Sequence, residues 1–234
     1  MIKMETQEIE TESLNLLYNK LKPEERLGLL YQDFPKNQVL MTSSFGTTSV
    51  YLLHLISKIN KNQKVYFINT NYHFQETLNY KNHLQDLLGI EIIDLNPDKL
   101  HNKFTTENQI WKENPDLCCS VNKVLPLNSL KEKHQVWISG LIGQQNEFRN
   151  GKSVFEQTKE ILKFHPIIDV SLEEVNKHIA KYNLPRNPLL SKGYGSVGCM
   201  HCTSKGEGRT GRWKATSKTE CGLHNQKKNI QVAV

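Results

Sequence analysis

The chain contains five cysteines, and their spacing is the strongest chemical signal in the sequence. Cys199 and Cys202 form a Cys-x-x-Cys turn, whose two intervening residues let both thiolates point at one metal ion or cluster. Zinc and iron–sulfur sites both prefer four ligands, so the adjacent residues Cys118 and Cys119 are the expected second pair. Neighbouring side chains diverge, and a cluster with separate iron atoms accommodates them more easily than one tetrahedral zinc ion. We therefore favour an iron–sulfur site, with a redox-active pair or ordinary buried cysteines as the alternatives.

Cys221 remains outside this quartet and has basic surroundings. The cations between the Cys-x-x-Cys turn and Cys221 are Lys205, Arg209, Arg212, Lys214 and Lys218. Positive charge lowers the pKa of a thiol, which raises its thiolate fraction, and it also holds an anionic substrate within reach. Cys221 is thus a candidate nucleophile, and the alternative is a solvated basic surface beside a half-exposed cysteine.

These motifs occur together in one known family. In order along the chain they are Cys118-Cys119, Cys199-x-x-Cys202, Arg209-x-x-Arg212-Trp213 and Glu220-Cys221-Gly222-Leu223-His224. From about residue 43 to residue 224 the chain resembles the assimilatory adenylyl-sulfate reductases, the iron–sulfur branch of the APS/PAPS reductase family. The Glu-Cys-Gly-Leu-His ending is shared with phosphoadenylyl-sulfate (PAPS) reductases, whereas the two cysteine pairs mark the iron–sulfur branch.

The resemblance implies an activity and a set of site residues. Cys221 would attack the sulfur of adenylyl sulfate (APS), expel AMP and carry an S-sulfonated thiol, from which thioredoxin or glutaredoxin would release sulfite. A 4Fe–4S cluster on Cys118, Cys119, Cys199 and Cys202 is implied as well. The implied substrate-binding residues are Ser43, Ser44, Phe45, Gly46, Thr47, Lys123, Arg149, Arg209, Arg212 and His224. The alternatives are a cluster-bearing PAPS reductase, a tRNA sulfur-transfer enzyme and a zinc-binding interaction module.

Residues 43–49 form a turn of small residues between a strand pattern and a helix pattern. Such a turn presents free backbone N–H groups and the helix dipole to an anion. It resembles the modified phosphate loop of the adenylyl-sulfate reductases, but Phe45 stands at a glycine position and neither Thr48 nor Ser49 is acidic. The missing acid argues against an enzyme that activates its substrate with ATP and magnesium.

The loop after the fourth predicted strand departs most from the family. Ile142 and Gly143 stand where many relatives have two arginines. Arg149 matches a later family arginine and is expected to take over part of the phosphosulfate recognition. Lys123 matches a family lysine near the cluster and substrate, although without the resemblance it would read as a solvent-facing helix lysine.

The spacing of apolar residues predicts the elements that position these side chains. Strands are predicted at residues 38–42, 64–68, 90–95 and 135–139, and helices at residues 5–20, 23–31, 50–59, 75–88, 118–130 and 172–182. Residues 96–116 and 183–198 are expected to be loops. Strands that alternate with helices indicate an α/β fold, a parallel sheet with helices on both faces and ligands at the carboxyl ends of the strands. The resemblance implies the adenine nucleotide alpha hydrolase-like version of that fold.

The chain is expected to divide into three parts. They are an N-terminal helical extension (residues 1–35), a nucleotide-binding and iron–sulfur catalytic domain (residues 36–205) and a C-terminal tail (residues 206–234) that carries Cys221. The tail has few apolar anchors and is expected to be mobile, so that its cysteine can meet both a buried substrate and an external protein.

Composition is that of a soluble globular protein, with 234 residues, 37% of them hydrophobic, and a net charge of +6. No apolar run approaches the roughly 20 residues of a membrane span, and the acidic N-terminus is no signal peptide. The basic residues are dispersed outside residues 205–218 and lack the interleaved aromatics of a single-strand-binding surface. We expect a cytoplasmic enzyme that binds neither nucleic acid nor membrane, and a homo-oligomer is left open.

Overall fold

A mixed, mostly parallel sheet organises the part of the chain that the computed structural model describes, which is residues 2–214, 216 and 218–224. The strands are β1 (Val39–Met41), β2 (Val65–Ile68), β3 (Ile92–Leu95), β4 (Val136–Ile138), β5 (Phe155–Gln157) and β6 (Leu162–Phe164). β1, β4 and β6 are parallel neighbours, and β5 runs antiparallel beside β6. β2 and β3 form a parallel pair, which a bridge between Thr42 and Tyr66 joins to β1. The strand order is therefore β3-β2-β1-β4-β6-β5.

Helices flank this sheet, and the predicted α/β class is confirmed. The helices are α1 (Ile2–Tyr18), α2 (Pro23–Asp33), α3 (Ser49–Ile59), α4 (Gln75–Leu88), α5 (Lys99–Glu107), α6 (Ile110–Glu113), α7 (Pro115–Cys119), α8 (Leu125–Lys131), α9 (Glu147–Asn150) and α10 (Leu172–Lys181). The predicted helix at residues 118–130 is interrupted, because a π-helical turn, Ser120–Val124, separates α7 from α8. Wide turns of this kind are frequent at functional sites.

The expectation of a loop at residues 96–116 is wrong, since α5 and α6 lie there. Asp98 explains the start of α5, because its carboxylate accepts hydrogen bonds from the backbone amides of Leu100 and His101, at 2.9 and 3.0 Å. Strands β5 and β6 were not predicted either. In β5 only Phe155 is buried, and Lys163 interrupts the apolar pattern of β6 although it is buried.

Alternate residues of the central strands pack on opposite faces of the sheet, as a strand period of two requires. Val39 and Met41 belong to the main core. Leu40 lies between them in sequence and packs on the other face. There it joins a second group, here called the small apolar cluster, which consists of Leu40, Ile68, Leu127, Trp137 and Ile161.

The N-terminal helices are fastened to the domain by Arg26, whose side chain is only 1% exposed. Its guanidinium donates to both carboxylate oxygens of Asp169, at 2.5 and 2.7 Å. It also donates to the carbonyl oxygens of Tyr18 and Pro166, at 2.8 and 3.1 Å. A buried guanidinium is stable only when its donors are satisfied, and here two carbonyls and a carboxylate do so.

A second contact links α1 to the edge of the sheet. The side-chain amide of Asn15 donates to the carbonyl oxygen of Phe155 at 3.0 Å. The backbone amide of Phe155 donates to the side-chain oxygen of Asn15 at 2.8 Å. One side chain thus pairs both backbone groups of a residue in the edge strand β5.

The C-terminal segment, residues 206–224, packs on the domain at Trp213 and Glu220, which are 5% and 1% exposed. The division of the chain into three parts, and the mobility of the tail, stay predictions, and residues 225–234 lie outside the described part. Among the described residues, no helix combines the length and the apolar character that crossing a bilayer requires.

Candidate active site

A cavity of about 380 Å³ opens at the carboxyl ends of β1 and β4. The predicted site residues that line it are Ser43, Ser44, Gly46, Thr47, Lys123, Arg149, Arg209, Arg212, Cys221 and His224. The structure therefore brings the turn after β1, the π-helical turn and the C-terminal segment around one space. Phe45 is the predicted substrate-binding residue that is not among the lining residues.

Phe45 takes the backbone conformation that a glycine would take. Its φ is 49°, in the left-handed region, and its side chain is fully buried against Phe67 with ring centroids 5.5 Å apart. A bulky residue in this region stores strain, which burial of the ring offsets. The loop keeps the turn that the family glycine provides, and Thr47 closes it by donating to the carbonyl oxygen of Gly195 at 3.0 Å.

The missing arginine pair has a steric reason at one of its two positions. A Cβ atom at Gly143 would lie 2.8 Å from the carbonyl oxygen of Ile168, to which the Gly143 amide donates at 2.7 Å. Ile142 is fully buried in the main core. The next two residues, Gln144 and Gln145, line the cavity instead. Sequence reasoning missed them, although their place after β4 could have indicated a ligand-binding loop.

Cys221 lies half-buried in the cavity between a thiol and a cation. The Cys221 sulfur lies close enough to the Cys119 sulfur for the two to interact, and the Lys123 ammonium lies 3.9 Å from it. While Cys119 is a protonated thiol, its hydrogen bond, and then the charge of Lys123 and the amide of Leu223, hold the pKa of Cys221 well below its ordinary value despite burial. A Cys119 thiolate bound to a metal site has no proton to donate, so Lys123 and the Leu223 amide would then be the groups that lower this pKa. Burial disfavours the charge of Lys123, but the surrounding thiolates raise its pKa well above the ordinary value. Cys221 and Lys123 therefore favour each other's charged forms.

Glu220, which is buried, holds the backbone of Cys221 in place. Its carboxylate accepts from Arg149 at 2.6 and 3.0 Å, from Arg209 at 2.9 Å and from the Cys221 amide at 2.9 Å. Burial would raise the pKa of Glu220, but the two arginines outweigh it and lower the pKa. Arg149 lines the cavity as predicted, yet its guanidinium is engaged by Glu220 and by the side chain of Gln145. Neither Glu220 nor this ion pair was predicted.

Arg212 is held by neutral groups rather than by a carboxylate. It donates to the carbonyl oxygen of Cys202 at 3.3 Å and to the hydroxyl of Ser196 at 3.4 Å. Its guanidinium lies 4.3 Å from the ring centroid of Trp213, a cation–π arrangement. Within the described residues Arg212 has no ion-pair partner, so its full charge faces the cavity.

His224 closes the other side of the cavity. Its ring lies nearly parallel to that of Trp137, with centroids 5.6 Å apart and an interplanar angle of 12°. Burial, followed by the charges of Lys163 and Arg149, lowers its pKa well below the ordinary value, so the imidazole is neutral. Its Nδ1 atom has no hydrogen-bond partner among the described residues and is free to bind a further group.

The four remaining cysteines line a second, smaller cavity. They are Cys118, Cys119, Cys199 and Cys202, as the metal-site prediction requires. The Cys199 sulfur lies 3.2 Å from the hydroxyl of Thr70, and Asn122 donates to the Cys118 sulfur at 3.7 Å. All four are free thiols. Within the described ranges, no three His, Cys, Asp or Glu side chains are grouped closely enough to hold a single metal ion.

The donor set of this cavity fits a thiolate-bound cluster. Burial, and then the charges of Cys199 and Cys202, raise the pKa of Cys118 to about 11. Thiols that raise one another's pKa in this way would lose their protons to solvent when a cation binds, because the cation offsets the repulsion between the thiolates. Thr70 and Asn122 supply the hydrogen bonds to sulfur that commonly surround iron–sulfur clusters.

Comparisons with known proteins agree with this geometry. The profile of the phosphoadenosine phosphosulfate reductase domain matches residues 38–205. The adenosine 5'-phosphosulfate reductase of Bacillus thuringiensis (strain Al Hakam) is 37% identical over 214 residues, which cover 86% of this chain and 89% of that protein. The protein of the same name from Bacillus mycoides (strain KBAB4) matches with the same identity and coverage.

Solved structures show the same fold. The crystal structure of phosphoadenylyl-sulfate (PAPS) reductase from Candida auris, a phosphate complex, superposes with a TM-score of 0.70 at 25% identity, covering 83% of this chain and 96% of that one. Yeast FAD synthetase, with a TM-score of 0.55 at 13% identity, shares the fold alone. The family resemblance read from the cysteine, arginine and C-terminal motifs is confirmed, and the chain belongs to the phosphoadenosine phosphosulfate reductase family.

Proposed function

We propose that the protein is a cytoplasmic adenylyl-sulfate reductase of assimilatory sulfate reduction, with Cys221 as its nucleophile. The family is one of oxidoreductases that act on a sulfur group, and the protein is such an enzyme. The relatives at 37% identity carry the name adenosine 5'-phosphosulfate reductase, which supports APS as the substrate. The single observation that carries the proposal is the Cys221 thiol, held between Cys119 and Lys123 in a cavity lined by cations.

The proposed reaction has two steps whose atoms and electrons balance. In the first, the Cys221 thiolate attacks the sulfur of APS. A sulfur–sulfur bond forms, the bond from sulfur to the phosphate oxygen breaks, and AMP leaves with the electron pair. In the second, a thiolate of thioredoxin or glutaredoxin attacks the Cys221 sulfur, and sulfite leaves with the electron pair of the broken bond. The second thiol of the donor resolves the mixed disulfide, so the donor supplies both electrons.

The charges around the cavity suit this reaction. Arg209, Arg212 and Lys123 would offset the negative charge of the phosphate and sulfate groups. The backbone and hydroxyl groups of residues 43–47 would bind the phosphosulfate beside the start of α3. The Nδ1 atom of the neutral His224 imidazole can donate one hydrogen bond to a substrate oxygen, or accept one from a substrate hydroxyl, because it has no other partner in the described part of the chain.

We propose that the four-cysteine cavity holds a 4Fe–4S cluster. Cys118, Cys119, Cys199 and Cys202 would be its ligands, and when bound it would supply a fixed charge beside the substrate anions. Thr70 and Asn122 would orient two of the ligand sulfurs. Lys123 lies between the two sites, since it lines both cavities. The electrons for sulfite come from thiols in this proposal, so the cluster need not donate any.

The second candidate substrate is PAPS, which the matching domain and the Candida auris structure favour. The two substrates differ by a phosphate on the ribose 3' oxygen. Arg186 lines the cavity and already donates to Asn176 at 2.7 Å. Initial rates of sulfite release with each nucleotide, under identical thioredoxin, decide between the two.

The test of the proposal uses protein purified without oxygen. Wild-type protein incubated with APS but no thiol donor is expected to release one equivalent of AMP and to gain a sulfonate on Cys221, located by peptide mass spectrometry. The Cys221→Ser variant is expected to release none, while it still binds AMP in calorimetry, which shows that the cavity is intact. Release of sulfite by this variant in the presence of thioredoxin would refute the proposal.

Iron and acid-labile sulfide analysis tests the cofactor separately. Four irons and four sulfides per chain are expected, from the ligand requirement of such a cluster. A Cys199→Ser variant is expected to lose most of the iron, whereas Cys221→Ser keeps it. One zinc and no sulfide would show that the cluster assignment is wrong while leaving the role of Cys221 open to its own test.

A further inference from the structure

The end of the C-terminal segment lies on a row of side chains that crosses four strands. In the registers of the sheet Leu40 stands beside Trp137, Trp137 beside Lys163, and Lys163 beside Glu156. Register partners present their side chains on the same face of a sheet. We call these four residues the cross-strand row.

Leu223 and His224 make the contacts with this row. Leu223 packs against the small apolar cluster, which includes Leu40 and Trp137. The ring of His224 stacks on that of Trp137. The backbone carbonyl of Leu223 accepts a hydrogen bond from the Lys163 ammonium at 3.3 Å. An apolar contact, a ring contact and a polar contact therefore converge two and three residues after Cys221.

Lys163 is unusual because it is 4% exposed and lacks an ion pair with any described residue. Burial lowers its pKa to about 8. The nearest carboxylate in the row, that of Glu156, already accepts from Lys152 at 2.8 Å and from His165 at 3.1 Å. The Lys163 ammonium instead lies 5.3 Å from the ring centroid of Trp137 and donates to Leu223. A buried ammonium needs an acceptor, and here the C-terminal segment provides it.

We propose that Lys163 and Trp137 are positioning residues, which hold Leu223 and His224 against the sheet and so place Cys221 beside Cys119 and Lys123. This inference rests on the proposed role of Cys221. The segment is then held at two points, by Glu220 with its arginines before the cysteine and by the cross-strand row after it. Two anchors on either side of one residue define the position of its side chain, whereas one anchor leaves it free to swing.

The test compares two lysines that face the same ring. In Lys163→Met the apolar chain length is kept and the hydrogen bond to Leu223 is lost. In the anaerobically purified holoenzyme we expect kcat for sulfite release to fall about 10-fold, with KM for APS within twofold. The rate of Cys221 alkylation by iodoacetamide, resolved by peptide mass spectrometry, is expected to rise about 10-fold as the segment leaves the sheet. Tm should be equal or higher, since an apolar residue replaces a buried charge.

Lys131→Met is the matched control. The Lys131 ammonium lies 5.6 Å from the Trp137 centroid but pairs with Glu160 at 2.7 Å, and it forms no hydrogen bond or ion pair with the described residues of the C-terminal segment. Its removal is expected to leave kcat and the alkylation rate within twofold of wild type. Leu223→Ala, which acts from the segment side and does not disturb the sheet, is expected to reproduce the Lys163→Met result.

The proposal would be overturned if Lys163→Met and Leu223→Ala both kept the wild-type kcat and alkylation rate. It would also be overturned if Lys163→Met and Lys131→Met lost kcat to the same extent. A failure of the proposed function would be detected in a different experiment, as sulfite release by the Cys221→Ser variant in the presence of thioredoxin. The alkylation rates do not depend on turnover and report docking of the segment in either case.

Discussion

Two arginine–carboxylate pairs hold the N-terminal helices and the C-terminal segment, residues 206–224, on the domain, and they differ in the exposure of the carboxylate. Arg26 is 1% exposed while the side chain of its partner Asp169 is 56% exposed. In the second pair both partners are buried, since Arg149 is 9% and Glu220 is 1% exposed. Each pair is bidentate, with distances between 2.5 and 3.0 Å.

The difference lies in how the remaining donors are used. The remaining N–H groups of Arg26 donate to backbone carbonyls, so none is left to bind another group. This pair therefore only holds the N-terminal helices on the domain. Glu220 is shared by two arginines and the Cys221 amide, so one carboxylate faces two cations. The Arg26–Asp169 pair is thus a structural contact. The Glu220 carboxylate, which faces two arginines, leaves a net positive charge beside Cys221.

The largest expected effect is on stability, in Arg26→Met. Removal of Arg26 leaves the carbonyl oxygens of Tyr18 and Pro166 without their donor, and each unsatisfied buried acceptor is expected to cost about 1 to 3 kcal/mol of unfolding free energy. Because Arg26 lies outside the cavity, kcat measured below the unfolding transition should stay within twofold of wild type. Urea unfolding followed by circular dichroism gives the first quantity and sulfite release the second.

The control is Lys177→Met, which removes an exposed pair with Glu173 on α10. Exposed pairs of this spacing contribute less than about 0.5 kcal/mol. A loss of kcat in Arg26→Met as large as its loss of stability would contradict the purely structural role.

The next effect is on turnover, in Glu220→Gln. The neutral amide cannot offset two guanidiniums, so Arg149 and Arg209 repel each other and the Cys221 backbone loses its charged acceptor. We expect kcat to fall about 100-fold, which corresponds to loss of one or two hydrogen bonds to a charged group. Single-turnover AMP release measures it. Unchanged AMP release with a large drop in Tm would reverse the comparison and make this pair the structural one.

A smaller effect is expected in Arg212→Lys. Arg212 stacks on Trp213 and donates to two neutral oxygens, a planar geometry that an ammonium cannot reproduce. KM for APS should rise about 10-fold with kcat changed less, because the charge remains but its placement is lost. Lys214→Met, at an exposed position two residues away, is the control and should stay within twofold.

The smallest effect is the pH dependence of the Arg26 pair. Burial would raise the pKa of Asp169, but the hydrogen bond and charge of Arg26 lower it below the ordinary 3.8. A lowered folded-state pKa contributes stability above the unfolded-state value and loses it as the pH falls through the folded-state value. The stability gap between wild type and Asp169→Asn should therefore be constant from pH 7 to about 5, and close below about pH 4.

That gap should not exceed about 1 kcal/mol, because the Asp169 carboxylate is solvent-screened. Thermal melts at each pH measure it. A gap as large as the loss in Arg26→Met would mean that the carboxylate, rather than the carbonyls, stabilises the buried guanidinium.

Features that depend on local sequence were predictable. The strand-turn-helix around residues 43–49 and the two cysteine pairs are short-range patterns, and the structure gathers them around two adjacent cavities. The strands β1 to β4 and the helices α2, α3, α4 and α10 also follow from apolar spacing, because the apolar side chains of each pack in the core.

Features that depend on distant partners were not predictable from one chain. Glu220 and Arg149 are 71 residues apart, and nothing near either one indicates that the other neutralises it. Position 143 requires a glycine because the carbonyl oxygen of Ile168 lies against it, and only the folded chain brings that oxygen near. Lys163 is a charged residue in a strand that was not predicted, and the folded chain buries it where its ammonium donates to the carbonyl oxygen of Leu223. Each of these misses is a tertiary contact that outweighs a local pattern.

The amide of Asn15 has a consequence for solubility. An edge strand with unpaired backbone groups invites a strand from another molecule to add to it, and β5 is such an edge. By satisfying both backbone groups of Phe155, Asn15 occupies the place that a foreign strand would take. Shortening the chain before α2 would uncover this template, and the shortened protein should form intermolecular sheet on storage even where its chemistry is preserved.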